Sequence, residues 1–244
     1  MKPKALFVPS LFTFLNFFWG FFAIVKAVEG NLHVAAWFII LAIICDGMDG
    51  KLARWTGLET PFGFELDSLA DLVSSGVAPA LLAYLGGLNQ IQVLGIGVCF
   101  LYLFAGGYRL ARFNVLQAGD RSKGYEGLPI PVAGLTVASF WLFELPFGQA
   151  IDMGWWIILI IFLSVLMVST IHYDWPRLMF RGGWKNTVQS VVILLATGMM
   201  AVFPHKSLFP LFLLYILLGI RSWAVSLFRG EVTLTEFFLS VKRK

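Results

Sequence analysis

The stretch Cys45-Asp46-Gly47-Met48-Asp49-Gly50-Lys51-Leu52-Ala53-Arg54, followed by Gly63-Phe64-Glu65-Leu66-Asp67-Ser68-Leu69-Ala70-Asp71, decides how this chain is read. Mostly apolar runs flank it, one upstream from residue 32 and one downstream to residue 86. Asp46 and Asp49 are three apart, and Asp67 and Asp71 four apart. These spacings place side chains on one face of a helix. The segment predicts a helical hairpin. One carboxylate pair lies near the end of the first helix, the other near the start of the second, and the pairs face each other across the helix–helix contact.

The flanks call for an apolar solvent. Of 244 residues, 59% are hydrophobic and 13% charged, and the mean hydropathy is +0.82. A soluble domain is about half apolar and about a quarter charged. A bilayer-spanning helix needs about 20 mostly apolar residues. Such runs lie near 5–27, 32–53, 66–86, 91–113, 130–146, 153–171, 188–204 and 207–226. The expected fold is an all-α integral membrane protein with about eight transmembrane helices. The count falls to six or seven if a run is re-entrant or lies flat. A single domain is expected over residues 1–244. The first run reads as an uncleaved helix, because no small-residue cleavage site follows it. Pro204-His205-Lys206 reads as the turn between the last two runs.

Charge tests this count independently. With eight spans, every Lys and Arg except Lys26 and Lys206 falls on the side of the N-terminus, the 54–65 turn and the C-terminal tail. Basic residues gather in cytoplasmic loops. Both termini and the four aspartates are therefore expected at the cytoplasmic face of the cell membrane. The net charge of +4 follows from this bias and gives no reason to expect nucleic acid. Cys45 and Cys99 lie in apolar stretches and form no disulfide framework. The histidines have no metal-ligand spacing. Residues 231–238 read as a short amphipathic piece on the membrane surface.

Four carboxylates converging in a low dielectric repel one another. Ionisable groups in membrane helices are costly and usually functional. Divalent cations relieve the repulsion, and all-oxygen ligands suit Mg²⁺, Mn²⁺ or Ca²⁺ better than Zn²⁺. Two such ions would hold a phosphate or pyrophosphate. Gly50, Ala53 and Gly63 are small and let helices and a ligand approach closely. The plainer alternative is a salt-bridge network with Lys51 and Arg54. Four acids in paired spacing argue against it.

The pattern Asp-x₂-Asp-Gly-x₂-Ala-Arg-x₈-Gly-x₃-Asp-x₃-Asp resembles the signature of the CDP-alcohol phosphatidyltransferases. It is met at Asp46, Asp49, Gly50, Ala53, Arg54, Gly63, Asp67 and Asp71. The resemblance implies transfer of a phosphatidyl group from a CDP-linked lipid to an alcohol, with release of CMP. It implies that Asp46, Asp49, Asp67 and Asp71 hold two divalent cations, Mg²⁺ or Mn²⁺. Asp46, Asp49, Gly50, Ala53, Arg54, Gly63 and Asp67 would bind the nucleotide. Asp71 would also take the proton from the acceptor hydroxyl. A homodimer is implied as well.

The flanking sequence is similar to the phosphatidylserine synthase branch of that family. It is so at Thr13-Phe14-Leu15-Asn16, from Asp67 to Ala80, at Arg109-Leu110-Ala111-Arg112-Phe113-Asn114 and at Gly127-Leu128-Pro129-Ile130-Pro131. Ser10 and Ser75 stand where that branch has Asn and Phe. The branch implies L-serine as acceptor and CDP-diacylglycerol, or an ether-lipid equivalent, as donor. Guanidinium groups bind carboxylate or phosphate bidentately, so Arg109 and Arg112, with Asn114 beside them, are candidates for the serine carboxylate or the lipid phosphate. Arg121, Lys123 and Glu126 lie in the following loop, as a lid or as a solvated loop. Glycerol 3-phosphate or an inositol phosphate is the alternative acceptor. A cation transporter with an acidic ion site is the alternative of another class.

Overall fold

The computed structural model describes residues 11–56, 60–119, 127–144, 152–171, 173 and 204–229, with the backbone alone at 49–56, 117–119, 144 and 204. Every regular element among them is helical. In chain order these are α1 (Leu11–Val28), α2 (Leu32–Thr56), α3 (Pro61–Asp71), a π-helical segment (Leu72–Val77), α4 (Ala78–Gly86), a 3₁₀ turn (Leu88–Ile91), α5 (Gln92–Gly119), α6 (Ile130–Glu144), α7 (Met153–Val168) and α8 (Pro204–Phe228).

Four helical stretches are long and apolar enough to cross a membrane: Leu11–Val28, Pro61–Gly86, Leu88–Leu116 and His205–Phe228. Leu32–Met48, Ile130–Phe143 and Met153–Val168 are apolar but shorter. Each corresponds to a run expected from sequence. The remaining run, 188–204, lies outside the described residues, as do residues 231–238 and Arg121, Lys123 and Glu126. Large apolar side chains such as Phe14, Phe21, Ile44, Phe100, Phe104 and Leu217 face outward. Lipid is the solvent that suits such a surface.

Small residues bring the helices together, as expected where lipid removes the hydrophobic drive between them. Ala23 and Ala27 of α1, Ala35 and Ala36 of α2 and Ala78 of α4 are buried in one apolar cluster with Ile39 and Leu82. A second cluster joins α4, α5, α6, α7 and α8 around Tyr102, Trp156, Leu163 and Met167. Helices α4, α6 and α8 take part in both clusters.

Among the described residues, helix α2 packs chiefly along α1, α6 and α4. The boundaries of the hairpin differ from those expected. Helix α3 begins at Pro61 because Thr60 caps it, accepting from the Gly63 N–H at 3.0 Å, and proline suits the first helical position. Asp67 and Asp71 therefore sit inside a helix and not at its start. Helix α5 runs on to Gly119, which takes Asn114 out of the expected loop. Pro204-His205-Lys206 is the first turn of α8, not a separate turn, again with proline where its missing N–H is harmless.

The π-helical segment has a local cause. Pro79 has no N–H to offer the Ser75 carbonyl, its partner in an uninterrupted α-helix. The ladder widens, and the Ala78 N–H bonds the Val73 carbonyl instead. The Tyr102 hydroxyl on α5 donates to the Ser75 carbonyl at 2.9 Å and satisfies it. Gly20 of α1 permits a close approach from the other side, since a Cβ there would lie 2.7 Å from Ser74 Cβ. Tyr102→Phe should leave the Ser75 carbonyl buried without its donor and lower stability by about 1–3 kcal/mol. In a Pro79→Ala background a backbone donor is available, so the same change should weaken the protein less. Thermal unfolding of the four proteins in detergent measures this coupling.

Candidate active site

Asp71 ends α3, where the helix passes into the π segment, and it is 8% exposed. Asn16 of α1, fully buried, donates from Nδ2 to Asp71 Oδ1 at 3.2 Å. Asp46 from α2 and Asp67 from α3 stand close enough for their charges to bear on the Asp71 carboxylate, and so does Arg109 from α5. Four helices thus meet at one carboxyl group. Arg109 is itself buried, with its guanidinium 5.4 Å from the centre of the Phe113 ring. Buried charges are tolerated when paired or hydrogen-bonded, and here a cation and three anions share one pocket of the bundle.

Asn114, one turn beyond Arg109, binds α5 to α3. Its Nδ2 donates to Glu65 Oε2 at 3.2 Å, and its Oδ1 accepts from Ser68 Oγ at 3.3 Å. These partners bracket Asp67 in sequence. Gly63 contributes its N–H to the Thr60 cap, so its place in the motif also serves the start of α3. Asp49, Gly50, Ala53 and Arg54 lie on the α2 backbone, and their side chains fall outside the described residues.

Arg112 reaches the end of α7. Its Nη1 donates to the Val168 carbonyl at 2.9 Å, and its Nη2 to the carbonyls of Ser169 at 2.8 Å and Met167 at 3.4 Å. A guanidinium therefore caps the C-terminus of α7, where carbonyls lack helical partners and the dipole is negative. The Gly127-Leu128 segment docks on the same end. Gly127 N–H donates to the Ile171 carbonyl at 2.9 Å, and Leu128 N–H to that of Leu166 at 3.0 Å. Gly127 has φ +79, and a Cβ there would lie 2.5 Å from the Met167 oxygen and 2.7 Å from Arg112 Nη2. This explains the glycine that opens Gly-Leu-Pro-Ile-Pro. Arg109 faces the aspartates, while Arg112 fastens α5 to α7.

Among the described residues, no group of three Asp, Glu, His or Cys side chains is gathered tightly enough to hold a metal ion as it stands. The donor set still fits a hard divalent cation in kind. Three carboxylates bear on one another without a thiolate or imidazole among them, and Asp49 is a further carboxylate on the same helix as Asp46.

Asn16 is the site residue that spacing did not reveal. Its signal in the sequence is an amide within the otherwise apolar run of α1. Its Oδ1 is buried with no hydrogen-bond partner among the described residues, a loss of about 1–3 kcal/mol relative to a satisfied group.

Carboxylates from two helices, an amide and a guanidinium, converging inside an apolar helical bundle, define a membrane-embedded site for a charged group. The chain belongs to the CDP-alcohol phosphatidyltransferase family, whose profile matches residues 6–167, from ahead of α1 almost to the end of α7. It is 33% identical to a CDP-diacylglycerol–serine O-phosphatidyltransferase of Helicobacter pylori over 91% of this chain and 93% of that protein. It is 40% identical to an archaetidylserine synthase of Methanothermobacter thermautotrophicus over 70% of each chain. With a CDP-diacylglycerol–serine O-phosphatidyltransferase of Bacillus subtilis it shares 38% identity over 55% of this chain and 76% of that protein.

The Arg112 clamp makes a checkable statement. Gly30 and Gly127 both have positive φ, but Gly30 has open space around it. Gly30→Ala should lose about 1–2 kcal/mol from backbone strain alone. Gly127→Ala adds a collision with two carbonyls and the Arg112 head, and its melting point in detergent should fall distinctly further.

Proposed function

We propose that this chain transfers a phosphatidyl group from CDP-diacylglycerol, or its ether-lipid equivalent, to the hydroxyl of L-serine, giving a phosphatidylserine-type lipid and CMP. The observation that carries the reading is the convergence of Asp46, Asp67 and Arg109 on the buried Asp71. The acceptor is supported by relatives that bear serine in their names, one of them aligned over 91% of the chain.

In this reading, Asp71 removes the proton as the serine oxygen attacks the phosphorus of the lipid-bearing phosphate. The new serine O–P bond forms as the bond from phosphorus to the CMP oxygen breaks. A general base needs hydrogen-bond reach to the hydroxyl, and Asp71 Oδ2 is the oxygen that Asn16 does not occupy. Arg109 holds the serine carboxylate or the lipid phosphate. Asp46, Asp49 and Asp67 hold the nucleotide end through divalent cation, Mg²⁺ or Mn²⁺, together with Asp71. Gly50, Ala53, Arg54 and Gly63 line the nucleotide. Bound cation supplies charge neutralisation for the pyrophosphate and the departing CMP. Arg112 and Asn114 position α5 and do not need to touch substrate. The outward apolar faces of the helices suit the lipid chains.

The same reading takes residues 1–244 as one domain of eight spans. Both termini and the aspartates face the cytoplasm at the cell membrane. The working unit is a homodimer, with no nucleic-acid partner. The distribution of Lys and Arg supports the orientation.

Purified protein in detergent, with CDP-diacylglycerol, Mn²⁺ or Mg²⁺ and each alcohol in turn, should release CMP with L-serine. Release with glycerol 3-phosphate and not with serine would overturn the acceptor assignment. No release with any acceptor, together with cation flux in vesicles, would favour a transporter. Asp71→Asn should still bind nucleotide while turnover falls by about two to four orders of magnitude. Full turnover in that variant removes Asp71 as the base.

A further inference from the structure

Asn16 is held in a way that a purely structural amide would not be. It lies on the buried face of α1 with Thr13, Gly20, Ala23 and Ala27. Asn residues that join membrane helices do so by satisfying both ends of the amide. Here Nδ2 meets Asp71 Oδ1, while Oδ1 of the same amide is buried and meets no donor among the described residues. An apolar side chain of similar size would remove that orphaned oxygen and would also leave Asp71 Oδ1 without its amide donor.

The acceptance of that orphan is explained by the bond made at the other end. A carboxylate can turn about its last torsion, and that torsion is soft. A single donor fixed on another helix removes this freedom and sets which oxygen is occupied. The donor is rigid, because Asn16 is fully buried and α1 is pressed against the segment that follows Asp71 through Gly20 and Ser74.

We infer that Asn16 is a positioning residue for the transfer reaction: its Nδ2–H holds Asp71 Oδ1 and thereby presents Oδ2 to the acceptor hydroxyl. The inference rests on the assignment of Asp71 as base. Asn16 does not touch substrate. It acts on the turnover step through Asp71.

The test uses the full chain in detergent, comparing wild type, Asn16→Leu, Asn16→Ser and Asp71→Asn. Steady-state CMP release gives kcat and KM for serine and for CDP-diacylglycerol. Thermal unfolding and Mn²⁺ binding, read by electron paramagnetic resonance, are followed in parallel. Asn16→Leu takes the donor from Asp71 Oδ1 and so should melt somewhat below wild type, yet stay folded at the assay temperature, keep Mn²⁺ affinity and both KM values within a few-fold, and lose about 10- to 100-fold in kcat, the usual effect of removing a hydrogen bond that orients a reacting group. Asn16→Ser keeps a donor on a shorter arm and should recover part of that loss. The inference is overturned if Asn16→Leu retains full kcat, or if its loss comes with unfolding at the assay temperature or a collapse of Mn²⁺ binding. If Asn16→Leu and Asp71→Asn both retain full turnover, the assignment of Asp71 fails as well. If only Asn16→Leu does, the assignment stands and this inference alone is lost.

Discussion

A carboxylate with little access to water, set among like charges inside an apolar bundle, is the constraint around which this protein is arranged. Asp71 is 8% exposed, and the charges of Asp46 and Asp67 act against its own. Left alone, such a group would be among the most costly features a membrane helix can carry. Each element around it answers that difficulty. Helix α1 brings an amide donor and α5 brings a guanidinium. The close-packed alanine contacts between α1, α2 and α4 lie further along, where no charge opposes them.

Helix α5 shows how one helix serves two masters. Arg109 turns toward the acids, while Arg112, three residues later, closes the end of α7 and the Gly127-Leu128 segment. Asn114 then fixes α5 to α3 through Glu65 and Ser68. The cation at the site is thereby tied to two neighbouring helices, and its position is set by hydrogen bonds at a distance from the acids. Such support from outside the reacting groups is what holds a constellation to its working geometry.

Much of this was legible in the sequence because it is local. Apolar length announces helices, the paired aspartate spacing announces a shared face, and the signature from Asp46 to Asp71 announces the family. The Thr60 cap and Pro61 are local chemistry as well, and they start the helix ahead of the apolar run at 66 that hydropathy alone marks. Tertiary relations were not legible. Two arginines three apart look alike in sequence, and only the packing of α7 separates their tasks. Asn16 acts on a residue 55 positions away.

The π-helical segment Leu72–Val77 has a consequence for how this fold can vary. Each residue of an α-helix advances the side-chain direction by about 100°, so one extra residue in a turn rotates everything beyond it. Helix α4 therefore does not inherit the angular phase of α3. The carboxylates of α3 look into the site, while Ala78 and Leu82 look into one apolar cluster and Ala80 and Ala83 into the other. One continuous rod carries two independent bearings, joined by a slipped cog. The aspartates of α3 and the small residues of α4 thus meet different neighbours along one rod, with the offset between them fixed by the π segment.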